Sequence, residues 1–273
     1  MKTAFLILGA QRSGTSVTSH VLSKFGIDFG SDQHFIQGGH NPIFFELKWI
    51  NDANNQLILA LGYQYIDFFL PTEKDWEQDR FVEFEQNLKS QILQEWDESQ
   101  SIGLKDPRFS LTFPVWQRVL TELGYSLNVI LAFRSPASFL KSNQSLFLNW
   151  EGWDVDRHLR FWLQLNLAAT YFTRDLPVYF LSYEDLMMNP RQETEQLAEY
   201  FNLDRTVIDQ ATAVINPSHY HHQATTETGV ALIDEYYQRL RSHTVSTIDY
   251  ENYGRNLYLY RNDRSIRYKK NDR

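Results

Sequence analysis

The stretch from Ala4 to Ser16 (Ala-Phe-Leu-Ile-Leu-Gly-Ala-Gln-Arg-Ser-Gly-Thr-Ser) constrains what this chain can fold into more than any other. The apolar run Thr3–Leu8 leads without a break into a Gly/Ser/Thr loop carrying one cation, Arg12, and a helical pattern follows. Strand, loop and helix start in that order form a turn that holds an oxyanion. The glycines let the backbone come close, the free amides of the helix N-terminus point at the anion, and the helix dipole favours its charge. The loop nearly spells the triphosphate-binding pattern G-x-x-x-x-G-K-[ST]. Gly9, Gly14 and Ser16 fit it, but Thr15 stands where the lysine belongs. That lysine reaches the β- and γ-phosphates, so its absence points to a phosphate-bearing ligand without triphosphate chemistry.

The chain has 273 residues, enough for a substantial core. It is 42% apolar and 15% aromatic, as a globular protein is. The formal net charge of −8 argues against a general nucleic-acid binder or a binder of anionic membrane surfaces. An anionic ligand would need a local basic pocket against this background. With no cysteine, disulfides, thiolate zinc sites and a cysteine nucleophile are excluded. The N-terminal apolar run is too short for a signal peptide, and no apolar stretch is long enough to span a bilayer. The resulting expectation is a cytoplasmic protein.

Four short apolar runs read as buried parallel strands: Thr3–Leu8, Ser101–Leu104, Leu127–Phe133 and Val178–Leu181. Such strands are apolar throughout because helices cover both faces. Between them lie helical patterns. One is Ser13–Phe25, with Gly26 as its stop. Another carries Phe81, Phe84, Leu88, Ile92 and Trp96, and a long one carries Val155, Leu159, Leu163, Leu167 and Tyr171. A further helix is expected over Leu47–Leu61. The alternation predicts a three-layer α/β/α fold with a central, mainly parallel sheet. Residues 1–273 are expected to form one domain, with a motif-bearing core over about 3–200 and a helical and irregular part over 204–273. Two segments resist the scheme. Asp28–Phe45 reads as a long loop, of the kind that is commonly functional, and Tyr250–Arg273 shows no clear period.

In open α/β sheets the ligand sits beyond the C-terminal ends of the strands. After the first strand come Arg12, Ser13, Gly14, Thr15 and Ser16. After the second come Lys105, Asp106, Pro107 and Arg108. After the third come Arg134, Ser135 and Pro136, with Ser142 eight residues beyond Arg134. After the fourth come Ser182, Tyr183, Glu184, Asp185 and Leu186, then Asn189 and Pro190. Cations, hydroxyls, loop amides and an aromatic ring at four consecutive strand ends suit a nucleotide with more than one phosphate group.

This ordered set resembles the sulfotransferases that use 3′-phosphoadenylyl sulfate (PAPS). In that family a [KR]-S-G-T-[ST] loop holds the 5′-phosphosulfate, and Arg12-Ser13-Gly14-Thr15-Ser16 has that form. An Arg-x-Pro after a strand, with a serine eight residues beyond the arginine, holds the 3′-phosphate, and Arg134, Pro136 and Ser142 match. A Tyr-Glu-Asp-Leu…Asn-Pro segment places its tyrosine near the adenine, and Tyr183 through Pro190 match. The resemblance covers roughly residues 3–200. It implies a P-loop-like sulfotransferase fold, PAPS as sulfate donor, no required metal, and a small-molecule or carbohydrate acceptor bearing a hydroxyl. It also agrees with the physics: PAPS has no β/γ-phosphate chain to call for the missing lysine. Its second phosphate explains a second anion site one strand away, where an arginine can make two parallel bonds.

Sulfuryl transfer is an in-line displacement with demands close to those of phosphoryl transfer. It needs a base for the acceptor hydroxyl and cations for the charge that develops. Arg12 is expected on the leaving-group side and Lys105 at the sulfuryl group. Cytosolic members place a histidine after the second strand, which this chain lacks. Members acting on sugars or tyrosine use a glutamate after the first helix, and Asn41-Pro42-Ile43-Phe44-Phe45-Glu46 resembles that arrangement. Glu46 is therefore the first candidate base. Its alternative is a carboxylate in the first turn of the following helix, favoured by the dipole. Asp106, which could instead pair with Arg108 as scaffold, is a second candidate, and His34 and His40 are others. The family's late Arg-Lys-Gly element has no clear copy: Tyr253-Gly254-Arg255, Lys269-Lys270, Arg239 and Arg241 are the available substitutes. Trp150 and Trp153 could stack on an acceptor or simply pack. His219, His221 and His222 show no spacing that demands a metal. Two other readings stay open. A P-loop kinase or nucleotide hydrolase would need the absent lysine, and a non-catalytic nucleotide-binding scaffold would bind donor without turnover.

Overall fold

The computed structural model describes residues 2–36, 45–97, 99–146, 153–216 and 227–259. Four strands form its sheet: β1 (Lys2–Leu8), β2 (Ser101–Lys105), β3 (Tyr125–Phe133) and β4 (Val178–Ser182). All pairings are parallel, in the order β2-β1-β3-β4. The apolar runs in the sequence mark these strands to within two residues. Among the described residues the helices are α1 (Thr15–Lys24), α2 (Lys48–Ala60), α3 (Val82–Glu95), α4 (Phe109–Glu122), α5 (Pro136–Leu146), α6 (Val155–Phe172), α7 (Tyr183–Met188), α8 (Pro190–Tyr200), α9 (Ile208–Ala213), α10 (Ala231–Arg241) and α11 (Thr247–Leu259).

The sheet is apolar on both faces because both are covered. Helices α1, α8 and α9 form one layer, in which Phe201 packs edge-on against Phe5 of β1 and tilts against Tyr179 of β4. Helices α4 and α6 form the other, backed by α2, α3, α5, α10 and α11. This is the expected three-layer α/β arrangement. The second layer is rich in aromatics: Trp116 and Trp162 are fully buried, and Trp49 meets both Trp96 and Trp116 at 6.0 Å. Aromatic contacts of this kind add about 0.5–1.5 kcal/mol each beyond area burial.

Some expectations need correcting. The first helix begins at Thr15, not Ser13, because Gly14 caps it in the left-handed region at φ 90°. Only glycine takes that conformation cheaply. Glu46 does not lie in the first turn of a helix. It precedes Leu47, the cap of α2, so the dipole argument for it lapses. The tail is regular at least to Leu259, the end of α11, with Gly254 against Leu70. The loop over residues 28–36 is tied down rather than free: Asp28 bridges to Ile102, and Phe35 bridges to Leu47. His40, Trp150, His219, His221, His222, Lys269 and Lys270 lie outside the described residues.

The chain order makes β1 the turning point. It runs outward from β1 to β2, then crosses back to β3 on the other side of β1. The C-terminal ends of β1 and β3 therefore flank a topological switch point, where open α/β sheets form their crevice.

Candidate active site

The loop leaving β1 is held to the end of β3. Gly9 has φ 126°, and a Cβ there would stand 2.0 Å from the Ala132 carbonyl oxygen, so only glycine fits. Its amide donates to Ser110 Oγ at 3.2 Å. The turn then forces Arg12 to φ 67°, a conformation that costs a non-glycine residue about 1–2 kcal/mol. Strain of this kind is tolerated where the surroundings over-determine it, commonly at working sites.

That geometry brings together residues far apart in sequence. Arg134 Nη1 donates to the Arg12 carbonyl at 3.2 Å, and Arg12 Nε donates to Ser142 Oγ at 3.1 Å. The Arg134 guanidinium lies over the Tyr183 ring, 4.3 Å from its centroid. Tyr183 in turn presses on the loop: a Cβ on Gly14 would stand 2.6 Å from the ring. The sequence-selected Arg12, Ser13, Gly14, Arg134, Ser142 and Tyr183 thus share one crevice, and Thr15 and Ser16 open the helix beside it. The Arg12 guanidinium is held below its usual range, first by burial and then by repulsion from Arg134. Burial pushes the Tyr183 phenol up, so the ring is neutral. Among the described residues no carboxylate pairs with Arg12, and the buried Ser13 hydroxyl has no hydrogen-bond partner. Two crowded guanidinium groups and an orphaned hydroxyl fit an anionic group.

Beside this crevice lies a cavity of about 710 Å³, reaching from Arg12 and Thr15 to Asn51, Asn55 and Leu59 of α2. At its inner end Lys105 Nζ donates to Glu46 Oε1 at 2.5 Å, with the lysine side chain 2% exposed and the glutamate 16%. Asp106 is fully buried. It accepts from the Arg108 amide at 2.7 Å, from Arg108 Nη1 at 3.2 Å and from Asn51 Nδ2 at 3.3 Å. Burial raises the Asp106 pKa despite the opposing pull of Arg108. For Arg108, burial lowers the pKa, but the attraction and hydrogen bond of Asp106 work against it and leave the guanidinium firmly charged.

Sequence reasoning missed part of this wall. Tyr65 lies under Arg108, 4.2 Å from the guanidinium carbon to the ring centroid, and its hydroxyl donates to Gln11 Oε1 at 2.8 Å. Asn55 accepts from Arg108 Nε at 2.7 Å. The cavity wall is thereby hydrogen-bonded directly to the loop after β1. The only signal was the placing of Asn51 and Asn55 one helical turn apart.

The remaining candidates stand elsewhere. His34 Nδ1 lies 2.8 Å from Glu95 and outside the inner cavity. Trp153 packs edge-on against Phe161 at 5.3 Å, with Arg157 over its ring. Arg239 pairs with Asp249 at 3.2 Å, and Arg241 bonds Asp185 and Ser182 beside Tyr183. Among the described residues no group of three His, Asp or Glu side chains is placed to hold a metal, and no helix is long and apolar enough to cross a membrane.

No family model and no curated protein matches the chain. Among solved structures, it is similar to the sulfotransferase domain of the olefin synthase of Synechococcus PCC 7002. The TM-score is 0.47 at 16% identity, over 94% of this chain and 96% of that one. It is also similar to the sulfotransferase STF9 of Mycobacterium avium, with TM-score 0.40 and 15% identity, over 96% and 77% of the two chains. Likeness at this level leaves the function to be read from the site's own geometry.

Proposed function

We propose that this protein is a sulfotransferase that moves the sulfuryl group of PAPS to an acceptor hydroxyl and releases 3′-phosphoadenosine 5′-phosphate. The observation that carries the reading is the meeting of Arg12, Arg134, Ser142 and Tyr183 at the switch point, next to a cavity that ends in Lys105 and Glu46. Arg12 and the amides after Ser13 hold the 5′-phosphosulfate. Arg134 and Ser142 take the 3′-phosphate, and Tyr183 sets the adenine side. The loop has no lysine, and Lys105 is engaged with Glu46, so the triphosphate apparatus of a kinase is not assembled.

Transfer forms a bond from the acceptor oxygen to sulfur as the bond from sulfur to the 5′-phosphate oxygen breaks. Glu46 takes the acceptor proton. Lys105 turns from Glu46 to the sulfuryl oxygens and frees the carboxylate to act, while Arg12 neutralises the leaving phosphate. Asp106, clamped on Arg108, is scaffold in this scheme. The acceptor is a hydroxyl-bearing molecule in the cavity. The chain works as one domain over residues 1–273, in the cytoplasm and without a metal.

Calorimetric titration with 3′-phosphoadenosine 5′-phosphate, beside ATP with and without magnesium, tests this. Tight, magnesium-independent binding of the bisphosphate with weak ATP is expected. A preference for magnesium-ATP would replace the reading with a kinase or nucleotide hydrolase, and silence from both would leave a scaffold. Glu46→Gln should spare bisphosphate binding and lower turnover about 10²-fold, the low end for loss of a general base.

A further inference from the structure

The reaction cavity does not end at α2. A second cleft of about 1000 Å³ adjoins it, and the two share Ile36 and Asn51 in their walls. Either volume alone would hold a drug-sized molecule, so the pair exceeds what a small alcohol or phenol needs. The ridge between them is built rather than loose. The Ile36 amide donates to the Glu46 carbonyl at 2.8 Å, and Phe35 bridges to Leu47. Glu95, whose side chain is 6% exposed, anchors the far wall by accepting from the Ser31 amide at 2.7 Å and contacting His34 at 2.8 Å.

The chemistry of the walls is uniform. Beyond Arg12, the charged side chains of the described lining are each met by a neighbour: Lys48 pairs with Asp52 at 2.5 Å, Lys105 with Glu46 and Arg108 with Asp106, while Glu95 is hydrogen-bonded to His34 and the Ser31 amide. Among the described lining residues away from Arg12, no cluster of one sign stands ready to gather a polyanion or a polycation. The remaining polar lining is hydroxyl, from Thr15, Ser16 and Ser31, and amide. Gln64 stands in the inner cavity and Gln33, Gln91 and Gln94 in the outer cleft. All four are exposed, and none of their side chains bonds a described residue. A primary amide offers two donors and an acceptor of two lone pairs, which suits hydroxyls that both give and take. Rings accompany the amides in each compartment, Tyr63 and Tyr65 in one and Trp49 in the other. One face of Tyr63 is taken by Phe69 and one of Tyr65 by Arg108; the remaining ring surface meets apolar C–H groups while neighbouring amides hold hydroxyls.

The geometry points to a neutral oligosaccharide as acceptor, with its reacting hydroxyl at Glu46 and its further sugar units over Asn51 and Ile36 into the outer cleft. This rests on the proposed function for the reaction but not for the binding. The groove is a property of the walls alone.

The test is binding by the full chain saturated with 3′-phosphoadenosine 5′-phosphate. The probes are glucose-, mannose- and N-acetylglucosamine-based sugars, each as the monosaccharide and as short oligomers, beside p-nitrophenol and acidic galacturonate oligomers. At least one neutral series should gain affinity with length, by roughly tenfold or about 1.4 kcal/mol over its monosaccharide. The surface double variant Gln91→Ala/Gln94→Ala should lose that gain while binding the bisphosphate unchanged. Four outcomes would overturn the proposal: no length dependence in any neutral series, preference for the acidic oligomers, preference for p-nitrophenol, or a double variant that keeps the gain. Repeating the sugar series without bisphosphate separates the two claims. A chain that binds oligosaccharide but never the bisphosphate loses the sulfotransferase reading and keeps the groove. A chain that binds the bisphosphate and shows no length dependence keeps the sulfotransferase reading and loses the groove.

Discussion

At the β1–β3 end of the crevice, Arg134 is bonded to the backbone of Arg12, and burial and then the charge of Arg134 hold the Arg12 guanidinium below its usual range. At the β2 end, a few residues away, Lys105 and Arg108 each stand against a carboxylate, and both carboxylates are largely or wholly buried. At the first end a bound anion would relieve the burial and the repulsion that Arg12 bears. The second has its cations already paired, and gains from an anion only where, in the proposed transfer, Lys105 leaves Glu46 for the sulfuryl oxygens. Removing a cation should therefore have opposite consequences at the two ends: lost binding with little lost stability at the first, lost stability at the second.

The largest effect is expected at the first end. Arg134→Ala should weaken 3′-phosphoadenosine 5′-phosphate binding about 10³-fold, or roughly 4 kcal/mol, since truncating one partner of a buried charge pair costs 2–5 kcal/mol or more. Titration calorimetry measures it. Affinity within tenfold of the parent would break the comparison by showing that the crowded cations serve no anion.

At the second end Arg108→Met should destabilise the fold by roughly 3 kcal/mol, because Asp106 would be left buried without its partner. Denaturant unfolding gives the value. Adding Asp106→Leu should recover part of the loss, since removing both members of a buried pair is often nearly neutral. If Arg108→Met unfolds at the parent midpoint, the matched pairing at this end is not a stabilising feature.

The sequence made the two ends unequally legible. Arg12, Arg134, Ser142 and Tyr183 all follow strands whose continuous apolar runs are easy to find, and the rule that ligands gather at strand ends selects them together. The second end depends on pairings that no local pattern encodes. Lys105 meets Glu46 from 59 residues away, and Tyr65 meets Gln11 from 54. Asn54 shows why helix α2 was hard to read. Polar residues on a helix suggest a solvated face, yet Asn54 is fully buried and accepts from Thr112 and Trp116 at 2.7 Å. The misplacement of Glu46 has a similar origin. Helix starts are set by cap geometry, and Leu47 carries no capping side chain to mark the boundary.

A third variant sharpens the comparison from the backbone. Arg12 sits at φ 67°, where glycine is at ease. Arg12→Gly should relieve about 1–2 kcal/mol of strain and the repulsion from Arg134, offset in part by lost packing. Its melting temperature should hold or rise while bisphosphate binding falls sharply, a trade of function against stability. A drop in melting temperature comparable to that of Arg108→Met would mean that Arg12 is structural.

The smallest effect concerns pH, and it too should fall on one end only. His158 of α6 is buried, and its Nδ1 lies 3.4 Å from Asn143 Nδ2, next to Ser142 on α5. Burial lowers its pKa below the ordinary 6.5, outweighing the pull of Asp154. A base with a lowered folded pKa binds more protons when unfolded. Its stabilising contribution is therefore complete above about pH 6.5 and is lost as the pH falls below that value. One proton bounds the slope at about 1.4 kcal/mol per pH unit, and the real slope should be a fraction of that. Because α5 carries Ser142, amide exchange should quicken there on mild acidification before it does in α2, and His158→Gln should flatten the difference. Equal quickening in both helices would show that acid loosens the molecule as a whole, and would remove His158 from the account of the crevice.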